Sequence, residues 1–229
     1  MNRSLIYAAL AVAVAGGIYW SSSQPVPSSD DAGLSLPYGA ANAQQADEAE
    51  VDTSTVVEMA MGPEDAAVTV IEYASFTCPH CATFHKTQYP QLKAEYVDTG
   101  KIRFIYRDVY FDRFGLWASM VARCGGQEKF FGMASMIYEQ QSDWIGTDQD
   151  PVAIADRLRT IGKVAGLDDA QLEACLSDEA RARTLVAWYR ENAEEHDVTS
   201  TPSLVINGEK YGNMSFAELS ELIDSKLAE

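Results

Sequence analysis

Basic residues are scarce in this chain. Its 229 residues include 17 lysines and arginines against 34 aspartates and glutamates, a formal charge of −17. Part of the excess lies in one stretch, because seven acids and no base fall between Asp47 and Asp65. Surfaces that bind nucleic acids are basic, since they neutralise phosphates. The composition therefore argues against a nucleic-acid partner.

Cysteine is also rare. Of the four cysteines, only Cys78 and Cys81 form a close pair. A zinc site built on one Cys-x-x-Cys needs two further ligands at matching spacing. The remaining candidates form no second close pair; they are Cys124, Cys175, His85 and His196. With 47% apolar residues, the chain can build a core without a metal, and a redox dithiol is favoured over half of a zinc site.

The residues around the close pair predict a strand, a turn and a helix. The run from Val68 to Tyr73 has the β-branched, apolar character of a central strand. Pro79 suits the first turn of a helix, which places Cys78 at the helix N-terminus. Backbone N–H groups and the helix dipole favour a thiolate there, and an imidazolium at His80 would favour it further. The Cys78–Cys81 disulfide is therefore predicted to be a ready oxidant.

Three separate features resemble the DsbA family of thioredoxin-fold thiol oxidases, from about Val56 to the end of the chain. They are Glu72 six residues before the first cysteine, the run Phe76-Thr77-Cys78-Pro79-His80-Cys81, and the late run Val198-Thr199-Ser200-Thr201-Pro202-Ser203. The resemblance implies an α/β fold, a thioredoxin fold interrupted by an all-helical insertion. It also implies that Glu72 is a proton carrier beneath the dithiol.

The resemblance further implies that the Thr201–Pro202 bond is cis and lies against the dithiol. The Thr201 backbone would then pair with an extended substrate as a strand does. A trans turn proline is the alternative. The oxidases of the family often have valine before this proline, whereas threonine is common in relatives that are isomerases or reductases. The family also often has a second acid where this chain has His85.

Glu72 is an acid in an apolar strand, so it must be neutralised, paired or used. If it is not the proton carrier, a structural ion pair with Lys101 or Arg103 on the next strand is the alternative.

The N-terminus has the pattern of an export signal. Met1-Asn2-Arg3 is basic, and Leu5 to Trp20 is apolar without a charge. Residues 1–20 are thus a signal or a membrane anchor, although 16 apolar residues are few against the ~20 of a spanning helix. Residues 21–55 are predicted to be a flexible linker, and an acidic interaction tail is the alternative. We expect a periplasmic protein, either free or tethered to the inner membrane by this segment.

Residues 56–111 are predicted to form the first part of the thioredoxin domain. It comprises strands at Val56–Met59, Ala67–Ala74 and Lys101–Arg107, and a helix from Pro79 to about Tyr96 that Pro90 should kink.

Every periodic segment of residues 112–197 indicates a helix, which makes this range the helical insertion. Residues 198–229 are predicted to return to the thioredoxin domain with a hairpin at Asn207-Gly208 and a final helix after the capping box at Ser215.

Cys124 and Cys175 each fall on the apolar stripe of a predicted helix in the insertion. Two core-facing thiols in an oxidising compartment tend to pair, so we expect a structural disulfide that encloses fifty residues. Two separate buried thiols are the alternative.

The favoured function is thus a monomeric thiol oxidase without cofactor or metal. Its substrates would be reduced exported polypeptides, and the resemblance implies a DsbB-type membrane quinone-linked reoxidant. A disulfide isomerase or reductase is the second hypothesis, and a non-catalytic binding module with an inert dithiol is the third.

Overall fold

A five-stranded mixed sheet forms the centre of the fold. The computed structural model describes residues 51–229, so the predicted export segment and the predicted linker up to residue 50 lie outside the described residues. The sheet has the order β1-β3-β2-β4-β5. Its strands are β1 (Met59–Met61), β2 (Val68–Ala74), β3 (Ile102–Asp108), β4 (Ser203–Ile206) and β5 (Glu209–Gly212). Only the β2–β3 pair is parallel among these strands, and the other three pairs are antiparallel.

The edge strand β1 begins later than the sequence suggested. We expected it at Val56–Met59, but pairing with β3 starts at Met59, which lies opposite Tyr106. Val57 is exposed whereas Met59 is buried. Burial against the sheet, which the local sequence does not reveal, therefore sets the start of this strand.

The connection between β2 and β3 is helical but divided. It consists of α1 (Pro79–Thr87), α2 (Tyr89–Leu92) and a wide π-helical turn (Lys93–Val97). The sequence predicted one kinked helix, and the division falls just before Pro90. Proline lacks the N–H of a continuing helix and its ring clashes with the preceding turn, so the chain starts a new helical segment there.

Six helices follow β3 before the chain returns to the sheet. They are α3 (Arg113–Cys124), α4 (Gly126–Glu139), α5 (Gln141–Ile145), α6 (Pro151–Val164), α7 (Asp169–Leu176) and α8 (Glu179–Glu195). α5 was not predicted, because five residues are too few to show a helical period. Asp150 caps α6 as expected, by accepting the Val152 N–H. The final helix α9 (Phe216–Leu227) has the expected capping box of Ser215 and Glu218.

A disulfide joins the end of α3 to α7 through Cys124 and Cys175. The expectation that both cysteines face the core was wrong, since each is half-buried. Each lies near the C-terminal end of its helix, where the apolar stripe reaches the surface.

Large aromatic side chains fill the core between the sheet and the helices. Among the fully buried residues are Trp117, Trp144, Tyr106, Tyr138, Phe76 and Phe130. Phe76, two residues before the dithiol, packs against the rings of Tyr106 and Tyr138. The segment that carries the dithiol is therefore anchored to the core by the packing of these aromatic rings. Within residues 51–229, no helix has the length and apolar character needed to cross a bilayer.

Candidate active site

The dithiol lies where β2 passes into α1. Cys78 occupies the N-cap position of α1 with extended backbone angles, and Pro79 follows at the first helical position. Both side chains are free thiols. Cys78 retains 9% of its accessible surface, whereas Cys81 is completely buried. Only the first sulfur is therefore open to attack by a substrate.

The surroundings of Cys78 stabilise a thiolate. They lower the pKa of Cys78 to about 5, and the first cause is the hydrogen bond from the Cys81 thiol. Burial opposes this shift, while backbone N–H groups of Cys81 and His80 contribute to it. The side chain of His80 is exposed. Hydrogen bonds at the helix N-terminus thus account for much of the stability of the thiolate, and the contribution expected of a His80 imidazolium stays a prediction.

The loop before β4 lies against the dithiol. The Thr201–Pro202 peptide bond is cis, and the Thr201 carbonyl oxygen accepts a hydrogen bond from the Cys78 thiol at 3.5 Å. The Thr201 hydroxyl is buried and, among the described residues, has no hydrogen-bond partner of ordinary geometry. The Thr201 hydroxyl can turn its O–H toward a sulfur that has lost its proton, and this hydrogen bond lowers the pKa of both thiols. The two distant motifs of the sequence therefore meet at one site.

Cys81 differs sharply from Cys78. Its pKa is raised far above the ordinary value, first by its hydrogen bond to Cys78, then by burial and by the charge of Glu72. A thiolate at Cys81 is thus unfavourable, and this sulfur needs a proton whenever the dithiol forms.

Glu72 lies in β2 and is completely buried. Its Oε2 lies 2.9 Å from Nε2 of His85, which is also buried. The alternative pairing with Lys101 or Arg103 was wrong. In the parallel register Glu72 lies opposite Tyr106, and Arg103 contacts Glu64 at 3.6 Å instead.

No role was predicted for His85 from the sequence, although a signal was present. His85 lies four residues after Cys81, so it shares that face of α1. A buried acid in the neighbouring strand requires a donor, and a histidine on this face can supply it.

Gln141 is a second residue of the site that was not predicted from the sequence. Its side-chain amide is buried and donates to the carbonyl oxygens of Phe76 at 2.8 Å and Cys78 at 3.0 Å. It lies in the short helix α5, whose pattern gave no signal. The helical region thereby fixes the backbone of the dithiol turn.

A third contact holds the same turn from the other side. The Thr77 hydroxyl donates to Oδ2 of Asp112 at 2.7 Å. The other oxygen of Asp112 caps α3 through the N–H groups of Phe114 and Gly115. The start of α3 and the residue before Cys78 are therefore positioned together.

The two thiols and the histidines that could have completed a zinc site have other partners. Cys124 and Cys175 are joined to each other. His85 contacts Glu72, and His196 lies 2.7 Å from the Tyr73 hydroxyl. The four candidate residues for the second half of a zinc site are therefore engaged with other partners in the structure.

Comparisons with known proteins agree with this geometry. The thioredoxin family model matches residues 54–225. A Rickettsia bellii protein named "Putative protein-disulfide oxidoreductase" is 34% identical over 173 residues, which cover 75% of this chain and 65% of that protein. The chain thus spans slightly less than two thirds of that relative.

Solved structures show the same similarity. Alpha-DsbA1 of Wolbachia pipientis has a TM-score of 0.69 at 26% identity, over 75% of this chain and 91% of that one. A structure from Novosphingobium aromaticivorans, named protein-disulfide isomerase, has a TM-score of 0.68 at 28% identity. The match covers 75% of this chain and 98% of that one. The expected thioredoxin fold with inserted helices is confirmed by this similarity to DsbA structures, and the chain belongs to the thioredoxin family.

Proposed function

We propose that this protein is a thiol:disulfide oxidase that introduces disulfides into exported polypeptides. The supporting observation is the asymmetry of the dithiol. Hydrogen bonds stabilise the Cys78 thiolate, whose pKa is about 5, whereas burial and the charge of Glu72 keep Cys81 protonated. These interactions favour the reduced protein and vanish when the disulfide forms. When the dithiol form of a dithiol/disulfide couple is stabilised, the disulfide accepts electrons more readily and is a stronger oxidant.

In the first step a substrate thiolate attacks the Cys78 sulfur. A substrate–Cys78 bond forms, the Cys78–Cys81 bond breaks, and the electron pair remains on the Cys81 sulfur. Attack occurs at Cys78 because Cys81 is completely buried. The Cys81 sulfur then takes up a proton, since its raised pKa disfavours the thiolate.

In the second step another thiolate of the substrate attacks the substrate sulfur of the mixed disulfide. The substrate disulfide forms and Cys78 leaves as a thiolate. Its lowered pKa makes it a good leaving group at neutral pH. The substrate has lost two electrons, which the protein now holds as a dithiol.

The loop of Thr201 and Pro202 is the proposed docking site for the substrate backbone. The Thr201 carbonyl oxygen is within 3.5 Å of the Cys78 sulfur, so a chain that pairs with this residue places its own cysteine beside the dithiol. Pairing through the backbone supplies affinity without a demand on sequence. Such binding suits an enzyme that acts on many exported chains.

Continued turnover requires an oxidant that removes two electrons from the dithiol. We propose a DsbB-type membrane quinone-linked protein for this role, and the periplasm as the compartment, with the protein either free or tethered by residues 1–20. A monomer suffices, because all of the proposed site residues come from one chain.

A disulfide isomerase or reductase is the alternative. Thr201 precedes the cis proline, and a similar structure from Novosphingobium aromaticivorans is named a protein-disulfide isomerase. An isomerase acts through its reduced dithiol on disulfides that are already present, whereas an oxidase consumes its own disulfide.

The two functions separate in a stoichiometric reaction. Oxidised full-length protein is mixed with a reduced peptide that contains two cysteines, and both products are measured by mass. An oxidase yields one peptide disulfide per protein, and the Cys81→Ala variant, which has no Cys78–Cys81 disulfide to give up, yields none. Failure to oxidise the peptide, together with rearrangement of a scrambled substrate by the reduced protein, would contradict the oxidase proposal.

A further inference from the structure

The buried pair of Glu72 and His85 has an unusual hydrogen-bond pattern. One contact joins them, at 2.9 Å between Oε2 and Nε2. The remaining polar atom of each side chain, Oε1 of Glu72 and Nδ1 of His85, is buried and has no partner among the described residues. Each side chain is therefore half satisfied, and the pair keeps one acceptor atom at either end.

The groups that face this pair are neutral at ordinary pH. Three phenols and one thiol surround it: Tyr89, Tyr106, Tyr138 and Cys81. Burial raises the pKa of each phenol, and the charge of Glu72 raises it further. No lysine or arginine in residues 51–229 forms an ion pair with Glu72 in the structure. The donor that faces the carboxylate is thus the His85 ring.

The pattern also selects a tautomer of His85. A doubly protonated ring would leave a buried charged N–H at Nδ1 without an acceptor, which is costly. A proton on Nε2 alone satisfies the contact with Oε2 and leaves Nδ1 as a bare acceptor, which costs less. His85 therefore donates through Nε2–H, and the ring is fixed by stacking on Tyr138 with centroids 4.2 Å apart.

We propose that His85 is a positioning residue for the proton step of disulfide exchange: its Nε2–H holds Oε2 of Glu72 and leaves Oε1 to exchange a proton with the Cys81 sulfur. This proposal rests on the exchange chemistry proposed above. When the Cys78–Cys81 bond breaks, the electron pair stays on Cys81, and the proton on Oε1 moves to that sulfur directly or through one water.

The charge balance of this step explains the need for the histidine. Proton transfer converts the Cys81 thiolate and the Glu72 acid into a thiol and a carboxylate, so the negative charge moves onto Glu72. The His85 N–H then donates to a charged acceptor, which is a stronger hydrogen bond than one to the neutral acid. Reoxidation of the dithiol returns the proton to Oε1.

Two substitutions distinguish a donor from a mere space-filling side chain. In His85→Gln an amide N–H can still donate to Oε2, whereas His85→Leu fills the space without a donor. His196→Gln is the matched control, because His196 contacts Tyr73 and lies outside the proposed site. The readout is the rate at which dithiothreitol reduces the Cys78–Cys81 disulfide of the full chain across pH, divided at each pH by the thiolate fraction of dithiothreitol, and His196→Gln should reproduce the wild-type profile.

We expect the midpoint of this profile to move up by about one pH unit in His85→Leu, because a buried carboxylate that loses a charge-assisted donor holds its proton about tenfold more tightly. His85→Gln should stay within about a third of a unit of wild type. An unshifted profile in a folded His85→Leu protein would overturn the proposal. So would equal shifts in both variants, since the histidine would then act by titration and not as a donor.

A measurement on the unaltered protein keeps the proposal testable if His85→Leu does not fold. Nitrogen NMR of the histidine rings should show His85 with a proton on Nε2 and a bare Nδ1. A proton on Nδ1, alone or together with one on Nε2, would overturn the proposal. Because dithiothreitol reduces the disulfide of an oxidase and of a reductase alike, these results are separate from the test of the proposed function.

Discussion

Acidification should remove a defined part of the stability of the reduced protein. The group concerned is Cys78, whose pKa is about 5 in the folded protein against 9.0 for an ordinary thiol. A pKa that is lower in the folded state stabilises the fold fully above the unfolded value. The stabilisation is partial at neutral pH and disappears as the pH falls through about 5.

The size of the effect follows from these values. At about pH 7 the folded protein holds Cys78 as a thiolate, whereas the unfolded chain holds it as a thiol. Two pH units separate about pH 7 from the folded pKa, and each corresponds to 1.36 kcal/mol. This thiolate keeps contact with solvent at the helix N-terminus, and solvent screens the interactions that stabilise it. We therefore expect the thiolate to stabilise the folded protein by about 2 kcal/mol at about pH 7.

Urea unfolding measures this contribution in protein whose Cys78–Cys81 pair is reduced while the Cys124–Cys175 disulfide is intact. The control is Cys78→Ser, which removes the titrating group. The difference in unfolding free energy between the two proteins should decrease by about 2 kcal/mol from about pH 7 to about pH 4. The ultraviolet absorption of the thiolate should decrease with the same midpoint. A difference that does not change with pH, or an absorption midpoint near that of an ordinary thiol, would refute the reasoning.

Three further changes have expected outcomes. Replacement of Cys124 and Cys175 by serine should lower the unfolding free energy by about 4 kcal/mol. The disulfide restricts the unfolded chain, because it closes a loop between residues that are 51 positions apart. A loss below about 1 kcal/mol in urea unfolding would contradict this. Gln141→Leu leaves carbonyl oxygens of the dithiol turn without their donor, and thermal and urea unfolding should show a loss of about 2 to 3 kcal/mol; an unchanged stability would contradict this. His80→Leu should make the disulfide less oxidising in its equilibrium with glutathione. The effect should be about threefold or less, because the imidazole is exposed and its charge is screened by solvent. A more oxidising disulfide would show that the imidazole does not favour the thiolate.

Most of the strands and helices could be predicted because their signals are local. The apolar run of β2 and the Asp150-Pro151 start of α6 each lie within a few residues. Elements whose limits depend on partners were predicted poorly. The predicted start of β1 was three residues too early, because only the pairing with β3 defines this strand. α5 was not predicted, because its five residues are too few for a periodic pattern.

The candidate site divides in the same way. The positions of Cys78 and Cys81 at a helix start follow from Pro79, and the late Thr201-Pro202 motif comes from the family resemblance. The contacts that tune the dithiol join residues far apart in sequence. Gln141 reaches the dithiol turn from 63 residues away, and His85 meets Glu72 only because α1 packs over β2. Such contacts depend on packing, which composition and periodicity do not specify.

Alkylation of the thiols separates the pairing of Cys124 and Cys175 from the redox dithiol. In protein exported to an oxidising compartment and unfolded without reduction, peptides that carry these two cysteines should remain linked. Full alkylation of both would contradict a structural disulfide.

The equilibrium of Cys78–Cys81 with glutathione tests the central claim most directly. Full-length protein is equilibrated with mixtures of reduced and oxidised glutathione, and the reduced fraction is measured by alkylation and mass. A reduced form stabilised by the Cys78 thiolate predicts a potential above about −200 mV, more oxidising than the glutathione couple. A potential near that of cytosolic thioredoxin, roughly −270 mV, would contradict the oxidase proposal.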